Sequence, residues 1–137
     1  MTNNTSMESE ARTTRTESLS PCPFDTKGLM SRCLGKISFA LMLLEEFESS
    51  GKRNAEKIVE HAERHESLAA AEAAHALKGT AGIIGALCLE QLAAEIETAG
   101  RQGQTAIATD VIDKLKTEMA RCLVFIPQFR ITMGQSN

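Results

Sequence analysis

Between positions 67 and 85 the chain carries Ala70, Ala74, Leu77, Ala81 and Ile84 at spacings of three and four. This is the period of a single buried stripe on an α-helix. The spacing predicts one long helix from about Ser67 to Gly85 with one side turned to a core. At about 100° per residue, His75, Lys78, Gly79 and Gly82 make a second stripe, roughly 130° from the first. The histidine therefore falls on the face away from the core, with a cation one turn along and almost no side-chain bulk around it.

Glycine inside a helix costs about 1 kcal/mol relative to alanine. Gly79 and Gly82 accept that cost on the outward face, where packing on the chain's own core does not account for them. They imply that something from outside approaches the helix closely beside His75.

The rest of the sequence narrows the fold. The 137 residues suffice for one domain with a real core. With no Trp or Tyr and 4% aromatics, that core must be aliphatic. Helix-forming residues dominate the middle of the chain and no alternating β-branched run suggests a sheet. The expected class is all-α. A formal net charge of −3 argues against an electrostatic grip on nucleic acid. No apolar run approaches the ~20 residues of a membrane span, and the polar N-terminus has no apolar signal region. Cys22, Cys33, Cys88 and Cys122 have neither C-x-x-C nor metal-type spacing. They read as small buried apolar side chains in a reducing cytoplasm.

Positions 1–23 read as a disordered polar tail, its Ser, Thr, Glu and Arg too poor in apolar groups to fold. Pro21-Cys-Pro23 marks the boundary of a domain spanning 24–130. Asp25 or Thr26 is placed to cap a short first helix ending around Leu34, with Gly35 as its stop. A second helix runs from about Lys36 to Ser49 on Ile37, Ala40, Leu41, Leu44 and Phe47, and Ser49-Ser-Gly51 closes it. Asn54 caps a third, to about Arg64, with Ile58 and Ala62 facing in. After the central helix, another starts near Leu87 on Leu89, Leu92, Ile96 and Ala99 and stops at Gly100-Arg-Gln-Gly103. Thr105 caps the last, whose inner face is Ile107, Val111, Leu115, Met119, Cys122 and Ile126; Pro127 ends it and 131–137 fray. Short connections imply antiparallel neighbours, hence an up-and-down four-helix bundle with an additional short N-terminal helix.

His75-Ala-Leu-Lys78-Gly79-Thr80-Ala81, then Gly85-Ala86 and a following helix that reaches Glu97, resembles the histidine-containing phosphotransfer (HPt) domain. The family pattern is His-x-Leu-Lys-Gly-Ser/Thr-Ala followed by Gly-Ala/Leu, and it fits without a gap. The resemblance covers roughly 26–126. It implies an antiparallel four-helix bundle that relays phosphoryl groups in multistep two-component signalling, with His75 as phospho-acceptor through the ring nitrogen farther from the backbone. It further implies that Lys78 steadies the phosphoryl group and that Gly79 makes room for the partner's aspartate loop. The partner would be a response-regulator receiver domain or the receiver module of a hybrid kinase. That partner would supply Mg²⁺ and most of the catalytic groups, and this chain would need no cofactor of its own.

The residues suit that chemistry. Neutral imidazole is a nucleophile near neutral pH because its unperturbed pKa is about 6.5. A cation at i+3 is the simplest electrostatic help that a helix can give an incoming phosphoryl group. No Walker-type or Gly-rich nucleotide loop is present, which fits a carrier rather than an ATP-dependent kinase. Leu68, Ala71 and Glu72 lie within roughly 60° of His75 on the helical wheel, as does Ala86 if the helix reaches it. With Gly79 and Gly82 they form the expected docking rim. Thr80 is expected to bond back to the helix carbonyls, and Glu97 is given no catalytic role. The competing pair His61-Ala-Glu-Arg-His65 shares a helix face by spacing but has no third metal ligand, so it reads as a solvated face. Two other functions stand beside the relay: a helical adaptor that binds without chemistry, and a phospho-acceptor module of a chemotaxis-type kinase. The relay protein is expected to be cytoplasmic and monomeric.

Overall fold

The computed structural model describes residues 22–103 and 107–135. Among them are five helices and no strand: α1 Thr26–Arg32, α2 over 37–63, α3 Ser67–Ile84, α4 Leu87–Arg101 and α5 Thr109–Gln135. The all-α expectation holds. The central stripe is buried as its spacing requires, with Ala70, Ala74, Leu77, Ala81 and Ile84 all inaccessible to solvent. Burying Leu77 or Ile84 contributes about 1.5–3 kcal/mol each. Around them close Leu29, Leu44, Phe47, Ile58, Leu89, Ile96, Leu115 and Ile126, an almost wholly aliphatic interior.

Two expected breaks are not breaks. Ser49-Ser50-Gly51 does not end α2: Ile37–Glu46 passes through a π-helical turn, Phe47–Gly51, into Lys52–Glu63. Gly51 is buried there, and a Cβ on it would stand 3.1 Å from the Phe47 ring and 3.3 Å from Met119 Cε. It is a packing glycine, not a terminus. Gly100 is likewise a packing glycine, where a Cβ would stand 2.8 Å from Ala71 Cβ and run into the Ser67 carbonyl, but α4 does end at Arg101, within the expected stop at 100–103.

Pro127 sits within α5, which continues over 131–135 where fraying was expected. The missing proline N–H costs a helix interior about 3 kcal/mol. Against this stand contacts beyond it: Phe129 meets Phe24 edge-on, ring centroids 6.1 Å apart, and Arg130 Nη2 bonds Glu48 Oε1 at 2.9 Å. The last helix starts at Thr109, so Ile107 precedes it, and its buried face adds Ile112 and Phe129 to the expected residues. Thr105 lies outside the described residues, as do positions 1–21 of the expected tail. The cysteines divide: Cys33 and Cys122 are buried, Cys22 and Cys88 exposed. Desolvation pushes the Cys122 thiol up to about 12, so it stays protonated.

The α3–α4 hairpin positions the candidate site. Gly85 takes the left-handed conformation, φ 76°, that ends α3, and the Ala86 N–H returns to the Ala81 carbonyl. The segment before α1 secures this turn from outside. Asp25, whose carboxylate caps α1 at the Gly28 N–H, donates its own N–H to the Gly85 carbonyl, and Arg32 donates twice to the Ile83 carbonyl. Gly100 meets Ser67 and Ala71 at the open end of the hairpin, and Glu90 meets Gly82 near the turn, so α3 and α4 run side by side in opposite directions.

Candidate functional site

Side by side, α3 and α4 bring residues 22 positions apart into one cluster. Glu97, one turn before the end of α4, reaches across to α3 with a side chain only 13% exposed. Its Oε2 lies 2.9 Å from His75 Nδ1 and 3.1 Å from Arg101 Nε, and its Oε1 lies 2.9 Å from Lys78 Nζ. All three partners are donors to one carboxylate. The Lys78 hydrogen bond, then those of Arg101 and His75, hold the Glu97 carboxyl down to about 2 against the opposing pull of burial.

The carboxylate therefore accepts only, and a neutral His75 facing it carries its proton on Nδ1. That leaves the lone pair on Nε2, the nitrogen farther from the backbone, in a side chain 63% exposed. Beside it Gly79 is bare: apart from its chain neighbours and the backbone of its own helix, nothing among the described residues lies within 4 Å of where its Cβ would be. An exposed ring nitrogen thus stands on an open helix surface with a half-exposed lysine one turn away, an arrangement chemically able to take a group from a partner brought close.

The expected rim is only partly on the surface. Leu68, Glu72 and Gly79 are exposed, and exposed Ala76 and Ile83 extend the same face. Ala71 is fully buried against Gly100, and Ala86 is buried too, so neither meets a partner. Gly82 is half-buried, with the tip of the Glu90 side chain over it, Oε2 3.2 Å from its Cβ position. Thr80 bonds back to the Ala76 carbonyl at 3.0 Å.

Glu97 is the residue whose part the sequence reading understated, and Arg101 was missed. Glu-x-x-x-Arg at i, i+4 was the available signal, but Arg101 falls within the expected stop at 100–103 and was read only as part of it. The histidine pair on α2 separates: His61 Nδ1 takes Glu66 Oε1 at 2.7 Å, while His65, at φ 60°, lies past the helix end and shares no helical face with it. Among the described residues no group of His, Cys, Asp and Glu side chains is placed to hold a metal ion, and no helix is long and apolar enough to cross a membrane.

No curated protein and no solved structure matches this chain. The family profile of the Hpt domain matches residues 42–123, a span that holds His75, Lys78, Gly79, Glu97 and Arg101. With that match over more than half its length, the chain belongs to the Hpt domain family.

Proposed function

We propose that this protein is a phosphorelay carrier that accepts a phosphoryl group on His75 Nε2 from a receiver-domain aspartate and passes it to another receiver aspartate. The observation that carries this reading is the His75–Glu97 hydrogen bond, which commits the proton to Nδ1 and leaves the outward nitrogen free to attack. In the forward step the Nε2 lone pair forms the N–P bond as the P–O bond to the aspartate breaks. The aspartate leaves with the electron pair as a carboxylate. The ring becomes a phospho-imidazolium whose Nδ1–H still points at Glu97, an anion that offsets the new positive charge. Lys78 is the cation at hand for the phosphoryl oxygens. Glu97 is a positioning residue, not a donor or acceptor of the transferred group.

Mg²⁺ belongs to the partner's aspartate site in this reading, and the chain supplies no cofactor. The docking face is Leu68, Glu72, Ala76, Gly79 and Ile83 around the histidine, apolar enough for contact and bare enough at Gly79 for a loop to approach. The helices carrying it are read as an antiparallel up-and-down bundle of α2 to α5 with α1 added, in a cytoplasmic monomer.

The test is phosphoryl transfer from a panel of phosphorylated receiver domains to the full chain, with His75→Gln alongside. Acid-labile, base-stable label on the wild type alone is the expected result. Absence of label from every receiver would instead favour an adaptor that binds without chemistry.

A further inference from the structure

At rest, Lys78 is not available to a phosphoryl group. Its Nζ lies on Glu97 Oε1 at 2.9 Å, and the carboxylate it serves is mostly buried. Moving the lysine to a phosphoryl group on His75 withdraws a cation from Glu97 just when Glu97 must stay anionic and aligned with Nδ1–H. A buried carboxylate stripped of its ionic partner is costly. Arg101 meets that difficulty. It is on the same helix one turn beyond Glu97, and its Nε lies 3.1 Å from Oε2, the oxygen that also faces His75, not the one that faces Lys78. The two cations thus bind different oxygens, and one can leave without disturbing the other's hydrogen bond.

We propose that Arg101 is a positioning residue that frees Lys78, holding Glu97 in place while the lysine moves from Glu97 to the phosphoryl group on His75. The proposal rests on the reading of His75 as phospho-acceptor. It assigns the two cations successive tasks: both neutralise Glu97 at rest, and in the phosphorylated state Arg101 does so alone. Arg101 never touches the transferred group.

Phosphoramidate, a small donor that needs no protein partner, isolates this step from docking. Nε2 attacks phosphorus, the P–N bond of the donor breaks and ammonia leaves with the electron pair. Three forms of the full chain would be compared, wild type, Arg101→Ala and Arg101→Lys, with His75→Gln as the blank. The readouts are labelling rate, the ¹⁵N resonances of the His75 ring and the Lys78 Nζ resonance before and after labelling. Losing one charge-assisted hydrogen bond should slow labelling of Arg101→Ala about tenfold. Its resting His75 ring should keep the Nδ1–H signature, because Lys78 still holds Glu97. The Lys78 resonance should move on phosphorylation in the wild type and stay near its resting position in Arg101→Ala. Arg101→Lys should recover labelling to within about threefold, restoring the charge without the planar fork.

Labelling of Arg101→Ala at the wild-type rate would overturn the proposal, as would a Lys78 shift equal to that of the wild type. Loss of the resting His75 signature in Arg101→Ala would also overturn it, because Arg101 would then only be placing Glu97. If the wild type is labelled and His75→Gln is not, those failures remove the role of Arg101 and leave the carrier reading intact. An unlabelled wild type removes both.

Discussion

Two histidines in this protein hold a glutamate through Nδ1, and only one of them is an exposed ring over a covered carboxylate. On α2, His61 and Glu66 are 2.7 Å apart; in the hairpin, His75 and Glu97 are 2.9 Å apart. The exposures run in opposite senses. His61 is 28% exposed and its glutamate 47%, whereas His75 is 63% exposed and its glutamate 13%. Glu66 belongs to the turn before α3, and the nearby Arg64 is given to Glu60 at 3.0 Å. Glu97 is fixed on a helix between Lys78 and Arg101. A carboxylate open to water can swing away and exchange partners at little cost. One that is covered and ringed by cations cannot, so it dictates which nitrogen of its histidine carries the proton. The short contact is common to both places; the covered carboxylate under an exposed ring is not.

The sharpest way to break this contrast is to exchange the histidines. His75→Gln should abolish labelling by phosphorylated receivers and His61→Gln should leave it unchanged; equal losses would dissolve the distinction. Next are the two glutamates. Glu97→Gln should slow transfer by about ten- to a hundredfold through loss of ring alignment and of the counter-charge, while Glu66→Gln should have no effect on the rate.

A smaller effect concerns space. Gly79→Leu should slow transfer about tenfold by blocking close approach, yet the helix should gain stability on the order of 0.5–1 kcal/mol from losing a glycine. Circular dichroism and urea denaturation would report the second change, and a slow but destabilised variant would point to unfolding instead. The smallest effect is one of pH. Because the folded-state Glu97 carboxyl lies at about 2 instead of its usual 4.5, it contributes stability that is fully present above about 4.5 and lost as the pH falls through about 2. Urea denaturation across that acid range should show a shallower loss for Glu97→Gln than for the wild type.

Much of this was legible from local pattern. The apolar spacing of Ala70 to Ile84, the outward placement of His75 and the turn at Gly85 all follow from helix geometry and one left-handed residue. What was not legible required knowing a second helix. The angle between Ala71 and His75 on a wheel says nothing about Gly100 of α4 lying against Ala71. Breaker rules failed where long-range packing outweighed local preference: Gly51 under Phe47 and Met119, and Pro127 followed by buried Phe129. The stop at 100–103 was placed where α4 does end, but read as a stretch of turn residues it hid Arg101, the last residue of the helix.

The edge-on pair of Phe24 and Phe129 has a consequence for where this protein can be cut. Both rings are buried, and both lie outside the 42–123 span by which the family is recognised. The same holds for Asp25 and Arg32, which grip the hairpin turn at Gly85 and Ile83. A fragment trimmed to the recognisable span would keep His75, Lys78, Glu97 and Arg101 and lose the latch on the hairpin turn that carries them. The unit that carries the signature is shorter than the unit that has to fold.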